Sequence, residues 1–214
     1  MNPLEILYSD PQIAVAIKPA GVLSQSDENG RESMLSLLEK QMGGTFFPIH
    51  RLDRETAGVM VFARTSAAAA ALSRALQEKE FKKEYLAVLT AKPSEDEAIL
   101  EDLLFFDRAR GKVFPVKRER RGVKAARLHY KHLETCKGLS LVRVFPETGR
   151  THQIRVQFAS RKMPLFGDHK YGGNGDSLAL FCRALSFPHP KSGEILSFDA
   201  NPIEKYPWNL FSSL

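Results

Sequence analysis

The apolar and polar positions alternate in short runs. Ile6–Tyr8 and Ile13–Ile17 read as two strands around a Ser9-Asp-Pro11 turn, and Lys18-Pro-Ala-Gly21 closes the second. Met34, Leu37 and Leu38 fall at helical spacing, with Gly43-Gly44 as a stop. Phe46–Ile49 and Val59–Ala63 are short apolar runs around the charged stretch "HRLDRE". Ser66 is placed to cap an alanine-rich helix through "AAAAALSRALQEKE", and "KKEYLAVLT" alternates as a strand. Beyond Pro93 the pattern stays strand-like to Phe145, apart from a basic break at Lys117–Arg127. In "GRTHQIRVQFASRKM", Ile154 and Phe158 suit a helix, while Ile154, Val156 and Phe158 also suit a strand. The Gly149 start and the lack of an internal turn signal favour the helix, and "PLFGDHKYGGNGDS" reads as a glycine-rich loop. Strands near Leu178–Leu185 and Glu194–Phe198 follow.

Many strands with helices inserted at intervals indicate an α+β fold around a largely antiparallel, mixed central sheet with flanking helices and loops. No repeat, linker or low-complexity tract divides the 214 residues, so one domain over 1–214 is expected. No apolar run approaches a membrane span, and the N-terminus lacks a basic region followed by an apolar one. Two cysteines make no disulfide framework, and a cytoplasmic setting is expected. The chain carries +6 and a pI near 9.3, which favours a polyanionic partner.

Much ready-made chemistry is missing. There is no Walker A loop, G-x-G-x-x-G or G-x-S-x-G, and His129-x-x-His132 has no evident third ligand. Neither metal nor cofactor is expected, so any chemistry runs on side chains. In His50-Arg-Leu-Asp-Arg-Glu55, Asp53 lies between Arg51 and Arg54. Guanidinium neighbours favour its charged form and suit it as base or nucleophile. A salt-bridged turn uses the same residues, and His50 reads as loop scaffolding.

"HRLDRETAGVMVFA" resembles the signature of the RluA family of pseudouridine synthases. "ILYSDPQIAVAIKPAGVL" is similar to that family's opening strands, "FKKEYLAVL" to its second motif and "PETGRTHQIRVQFASRKMPLFGD" to its third. "LSFPHPKSGE" resembles a segment near its C-terminus, so the motifs occur in order along nearly the whole chain.

The resemblance implies the pseudouridine synthase fold and a cofactor-free isomerase acting site-specifically on uridine in structured RNA, ribosomal or transfer. It implies Asp53 as the essential aspartate and Arg51 as the arginine that replaces a flipped nucleotide. Tyr85 becomes the tyrosine under the target base, and Arg155 the partner of the catalytic carboxylate. Lys82, Lys83, Arg150, Arg161 and Lys162, in or beside the motifs, become candidates for the RNA backbone. RNA is the expected partner; neither a membrane nor an obligate protein partner is.

Taken singly, Tyr85 also reads as core, Arg155 as a solvated helix residue and Arg51 as a surface charge. Lys117–Arg127, with six cations and one acid, reads either as a solvated hairpin tip or as a backbone contact. Ala57 departs from the usual serine, and Gln157 from a common histidine. The chain also opens directly on catalytic-domain strands, so no S4-type RNA-binding module is expected and RNA selection would rest on the catalytic surface. A non-catalytic RNA-binding protein on the same fold is the alternative.

Overall fold

The computed structural model describes residues 3–27 and 30–214. The chain divides into two compact units, Met1–Lys83 with Cys182–Pro202, and Glu84–Phe181 with Ile203–Leu214.

The first unit contains β1 (Ile6–Ser9), β2 (Ile13–Lys18), α1 (Met34–Met42), β3 (Phe47–Pro48), β4 (Ala57–Ala63) and α2 (Ser66–Gln77). β1 pairs with β2 and β2 with β4, both antiparallel, and β3 adds to the upper end of β4. The β1–β2 turn is closed by Asp10, whose Oδ1 accepts the backbone N–H groups of Gln12 and Ile13 at 2.7 and 2.8 Å. β4 is buried throughout except at its first residue, as the unbroken run Val59–Ala63 requires. Ile13, Val15, Val59, Val61 and Leu72 of α2 form its core with Leu185 and Phe187.

Both helices are capped by hydroxyls. Ser33 and Ser36 form a reciprocal capping box on α1, and Gly43 ends that helix at φ +70°. The cap of α2 is Thr65, not Ser66. Thr65 has the extended backbone a cap needs, and its Oγ1 accepts the Ala68 N–H at 3.1 Å, leaving Ser66 as the first helical residue.

The second unit is built on β5 (Lys82–Leu89), β6 (Glu97–Asp107), β7 (Lys112–Val116), β8 (Val123–Cys136) and β9 (Leu139–Pro146). Their order is β5-β9-β8-β6-β7, and the β5–β9, β9–β8, β8–β6 and β6–β7 pairs are all antiparallel. The basic break is shorter than expected, because β8 starts at Val123 and takes in Lys124 and Arg127. Ladder hydrogen bonds are made by backbone, so charge does not end a strand whose side chains can reach solvent or a counter-ion. Arg127 has Glu101 and Glu147. β10 (Leu180–Pro188) and β11 (Ile195–Asp199) are antiparallel neighbours, and from Cys182 on they belong to the first unit.

The helix expected from Gly149 is present as α3, but it starts at Gln153 and ends at Ala159. Residues 148–152 are held as a turn by the Gln153 side chain. Its Oε1 accepts Thr148 Oγ1–H at 2.7 Å and the Arg150 N–H at 3.0 Å, and His152 sits at φ +51°. The face of α3 carrying Val156 packs on Leu104, Val113 and Ala126.

Candidate active site

The HRLD stretch is the loop between β3 and β4, and its position is fixed from several sides. Lys18, at the end of β2, is wholly buried. Its ammonium donates to three carbonyls, Pro19 O at 2.9 Å, Val22 O at 2.6 Å and Arg54 O at 2.9 Å. Three donors thus meet three acceptors, the only way to keep a cation where water does not reach. Burial still lowers its pKa to about 8, although Glu55 and Asp53 pull it upward.

Arg54 and Gly21 exchange two further bonds: Gly21 N–H to Arg54 O at 2.9 Å, and Arg54 Nε–H to Gly21 O at 3.1 Å. Ser24 Oγ accepts the Leu52 N–H at 3.0 Å and donates to Leu52 O at 2.9 Å. The Lys-Pro-Ala-Gly turn is therefore the scaffold of the HRLD loop. Within the loop, Asp53 O accepts the Thr56 N–H at 3.0 Å, turning the chain back into β4.

Gly58 begins that return at φ +126°, and a Cβ there would stand 2.3 Å from the carbonyl oxygen of Cys182. Only glycine fits.

His50 is scaffolding of a definite kind. Its Nε2 accepts the Val61 N–H at 3.3 Å, and its ring lies edge-on to Phe81. Burial and the Lys83 charge hold its pKa well below the ordinary histidine value, so the ring is neutral. In contrast, Arg51 is exposed and makes no ion pair among the described residues. Asp53 is half-buried between them.

Tyr85 and Arg155 belong to the second unit. Tyr85 lies on β5 opposite Val144, with its side chain largely buried. Arg155, on α3, is buried and grips Asp168 with two parallel bonds, Nε to Oδ2 and Nη2 to Oδ1, each 2.8 Å. A bidentate pair of this kind fixes the guanidinium plane. Its Cζ also lies 5.3 Å from the centre of the Tyr171 ring. Tyr171 Oη accepts the Val113 N–H at 2.9 Å and is 2.8 Å from His152 Nδ1.

Asp168 is set by its own loop. Its backbone oxygen accepts the N–H groups of Tyr171 and Gly173. A Cβ on Gly173 would fall 1.9 Å from Leu165 O, which explains a glycine there.

Sequence reasoning left three of these groups without a role: Lys18, Ser24 and Asp168. A lysine at the end of an apolar strand and an aspartate in a glycine-rich loop were the available signals.

The five basic residues assigned to the RNA backbone differ in setting. Lys82 and Lys162 are exposed or nearly so. Burial lowers the Lys83 pKa, which sets it apart from a freely solvated phosphate contact. Arg150 Nε donates to Ala125 O at 2.9 Å, and Arg161 pairs with Asp102 at 2.8 Å.

Among the described residues no three His, Cys, Asp or Glu side chains are grouped as metal ligands. The His129 and His132 rings are instead hydrogen-bonded to Glu97 and to Asp96 and Thr135. Among the described residues no helix is long and apolar enough to cross a membrane.

Comparison with known proteins adds the family. The model described as RNA pseudouridylate synthase matches residues 12–160. An uncharacterised RNA pseudouridine synthase of Bacillus subtilis is 34% identical over 92% of this chain and 68% of its own length. Ribosomal large subunit pseudouridine synthase D of Nitrosomonas europaea is 34% identical over 92% of this chain and 62% of its own. That of Neisseria meningitidis is 36% identical over 99% and 61%. The chain thus spans about two thirds or less of these relatives.

Two solved human structures, RNA pseudouridylate synthase domain containing 4 and 1, each superpose with a TM-score of 0.77. They cover 93% of this chain, and 89% and 83% of their own, at 24% and 23% identity, and share its fold.

Proposed function

The chain belongs to the RNA pseudouridylate synthase family, and on that footing we propose that it converts uridine in structured RNA to pseudouridine. The observation that carries the reading is the placement of Asp53. It stands in the segment matched by the family model, in a loop locked by Lys18, Gly21 and Ser24. A pre-set carboxylate loses little on ordering when substrate arrives.

In this reading the target nucleotide leaves its stack, because C1′ and C5 are out of reach inside it; extrusion costs a few kcal/mol. Arg51, exposed and without an ion pair among the described residues, fills the vacated place with its planar guanidinium. Tyr85 lies under the uracil and holds it while it is detached. The N1–C1′ bond breaks, the base turns, C5 bonds to C1′, and the C5 proton passes to solvent as N1 takes one up. The atoms of the RNA are otherwise unchanged.

Asp53 acts at the sugar, by attack on C1′ or by removal of the 2′ proton, and both routes start from the carboxylate. Arg155, its guanidinium plane fixed by Asp168, keeps the role the family resemblance gives it, that of the arginine serving the catalytic carboxylate. The relatives named ribosomal large subunit pseudouridine synthase D favour ribosomal RNA as substrate class over transfer RNA, in a cytoplasmic setting.

Transcripts carrying tritium at uridine C5 test the reaction. Tritium released to water without free uracil is expected. Release of free uracil would make the enzyme a hydrolase, and retention of all label would remove the isomerase reading.

A further inference from the structure

The basicity of this chain is local. Residues 108–124 hold eight Lys and Arg against the single acid Glu119, a net +7, whereas the entire chain carries +6. The other 197 residues are therefore slightly acidic. The segment lies wholly in the second unit, where it forms both turns of the β6–β7–β8 meander and β7, the last strand in the order.

Four other arginines of this unit are ion-paired, as is Arg110 of the meander with Asp107. Arg143 meets Glu84, Arg155 meets Asp168, Arg161 meets Asp102, and Arg127 meets Glu101 and Glu147. In the meander, Arg108, Lys117, Arg118, Arg121 and Lys124 are exposed and have no ion-pair partner among the described residues. Like charges crowded on one hairpin repel, so the free protein is better off with fewer of them.

Aromatic rings underlie the charges. Phe105 and Phe114 stand directly opposite each other on β6 and β7. By strand alternation they face away from Leu104 and Val113, which pack on α3, and both are only half-buried. Arg120 Cζ lies 4.6 Å from the Phe105 centroid, while Arg110 Cζ and Lys112 Nζ stand 6.0 and 5.9 Å from that of Phe114. Arg120, held over a ring, keeps its donors free for phosphate, whereas Arg110 also meets Asp107.

We propose that the β6–β7–β8 meander is an RNA-docking pad that grips the sugar–phosphate backbone of the substrate through its unpaired cations and the Phe105–Phe114 platform. The pad deepens the isomerase reading, on which its substrate assignment rests. Its binding contribution is independent of base sequence, since phosphates position but do not specify.

The test is fluorescence anisotropy with a labelled RNA stem-loop across a salt series, using wild type, the triple variant R118S/R121S/K124S, and E119K. Loss of three phosphate contacts should flatten the log–log salt slope by about 2 and weaken binding on the order of tenfold or more near physiological salt. E119K, a surface change that adds charge without removing a contact, should tighten binding and steepen the slope. Wild-type affinity and slope in both variants would overturn the pad. Tritium release by wild type, read alongside, separates the two ideas. RNA binding that responds to the pad variants in a protein releasing no tritium leaves the pad standing and removes the isomerase. Tritium release with pad variants that bind as wild type does the reverse.

Discussion

Arg155 and Asp168, thirteen residues apart in the chain, are joined by two parallel 2.8 Å hydrogen bonds inside the second unit, with Asp168 almost wholly buried. Removing one member of such a pair leaves the other charge buried, typically a loss of about 3–5 kcal/mol. Asp168→Ala should therefore lose about that much in urea unfolding. Lysine at 155 cannot reproduce the fork, so Arg155→Lys should abolish most activity while costing less stability than Arg155→Ala. Wild-type turnover by Arg155→Lys would show that the fixed guanidinium plane is not used.

Lys18 gives a pH signature. Its folded pKa of about 8 lies below the unfolded 10.5, so between those values the unfolded chain binds more protons. The Lys18 contribution to stability therefore rises with pH through that window. The stability difference between wild type and Lys18→Met should grow by about 2 kcal/mol from pH 7.5 to 9.5. A difference that stays constant would mean that Lys18 titrates in the folded protein as it does unfolded.

Gly58→Ala would drive a methyl group to 2.3 Å from the Cys182 carbonyl oxygen at a φ that alanine avoids. The expected result is a loss of at least about 3 kcal/mol by thermal or chemical unfolding, within the range of severe backbone strain and overpacking. A variant that melts like wild type would contradict the close approach.

Tyr85 should act through its ring face. Tyr85→Phe keeps that face and should retain substantial activity. Tyr85→Ala should lose most of it, in line with stacking worth about 1–3 kcal/mol per base. Equal single-turnover rates for Tyr85→Ala and wild type would remove Tyr85 from the site.

The α+β architecture was legible because strand alternation and the Ser33–Gly43 helix are local signals. The run Ile154-Arg-Val-Gln-Phe158 suits helix and strand alike, and only the Gly149 start and the lack of a turn signal within it point to α3. The starting point of α3 was not legible. Gln153 ties down residues 148–152 through its side chain, a contact that residue spacing does not encode. Thr65 and Ser66 are both good caps, and only backbone geometry chose between them. Asp53, Arg51, Tyr85 and Arg155 were singled out as candidates from the ordered motifs. Lys18 and Asp168 had no role assigned, because the first needs three carbonyls converging from 19, 22 and 54, and the second a partner thirteen residues away. Those are properties of the folded chain, and a lysine or an aspartate in a loop-rich stretch is otherwise ordinary.

Asp53 is proposed to carry out uridine isomerisation. The most direct test is to incubate wild type and Asp53→Ala with unmodified ribosomal and transfer RNA and map pseudouridine by carbodiimide adducts that stop reverse transcription. New stops at a defined uridine are expected with wild type and none with Asp53→Ala at equal RNA binding. Stops that persist with Asp53→Ala, or none with folded, RNA-binding wild type, would contradict it.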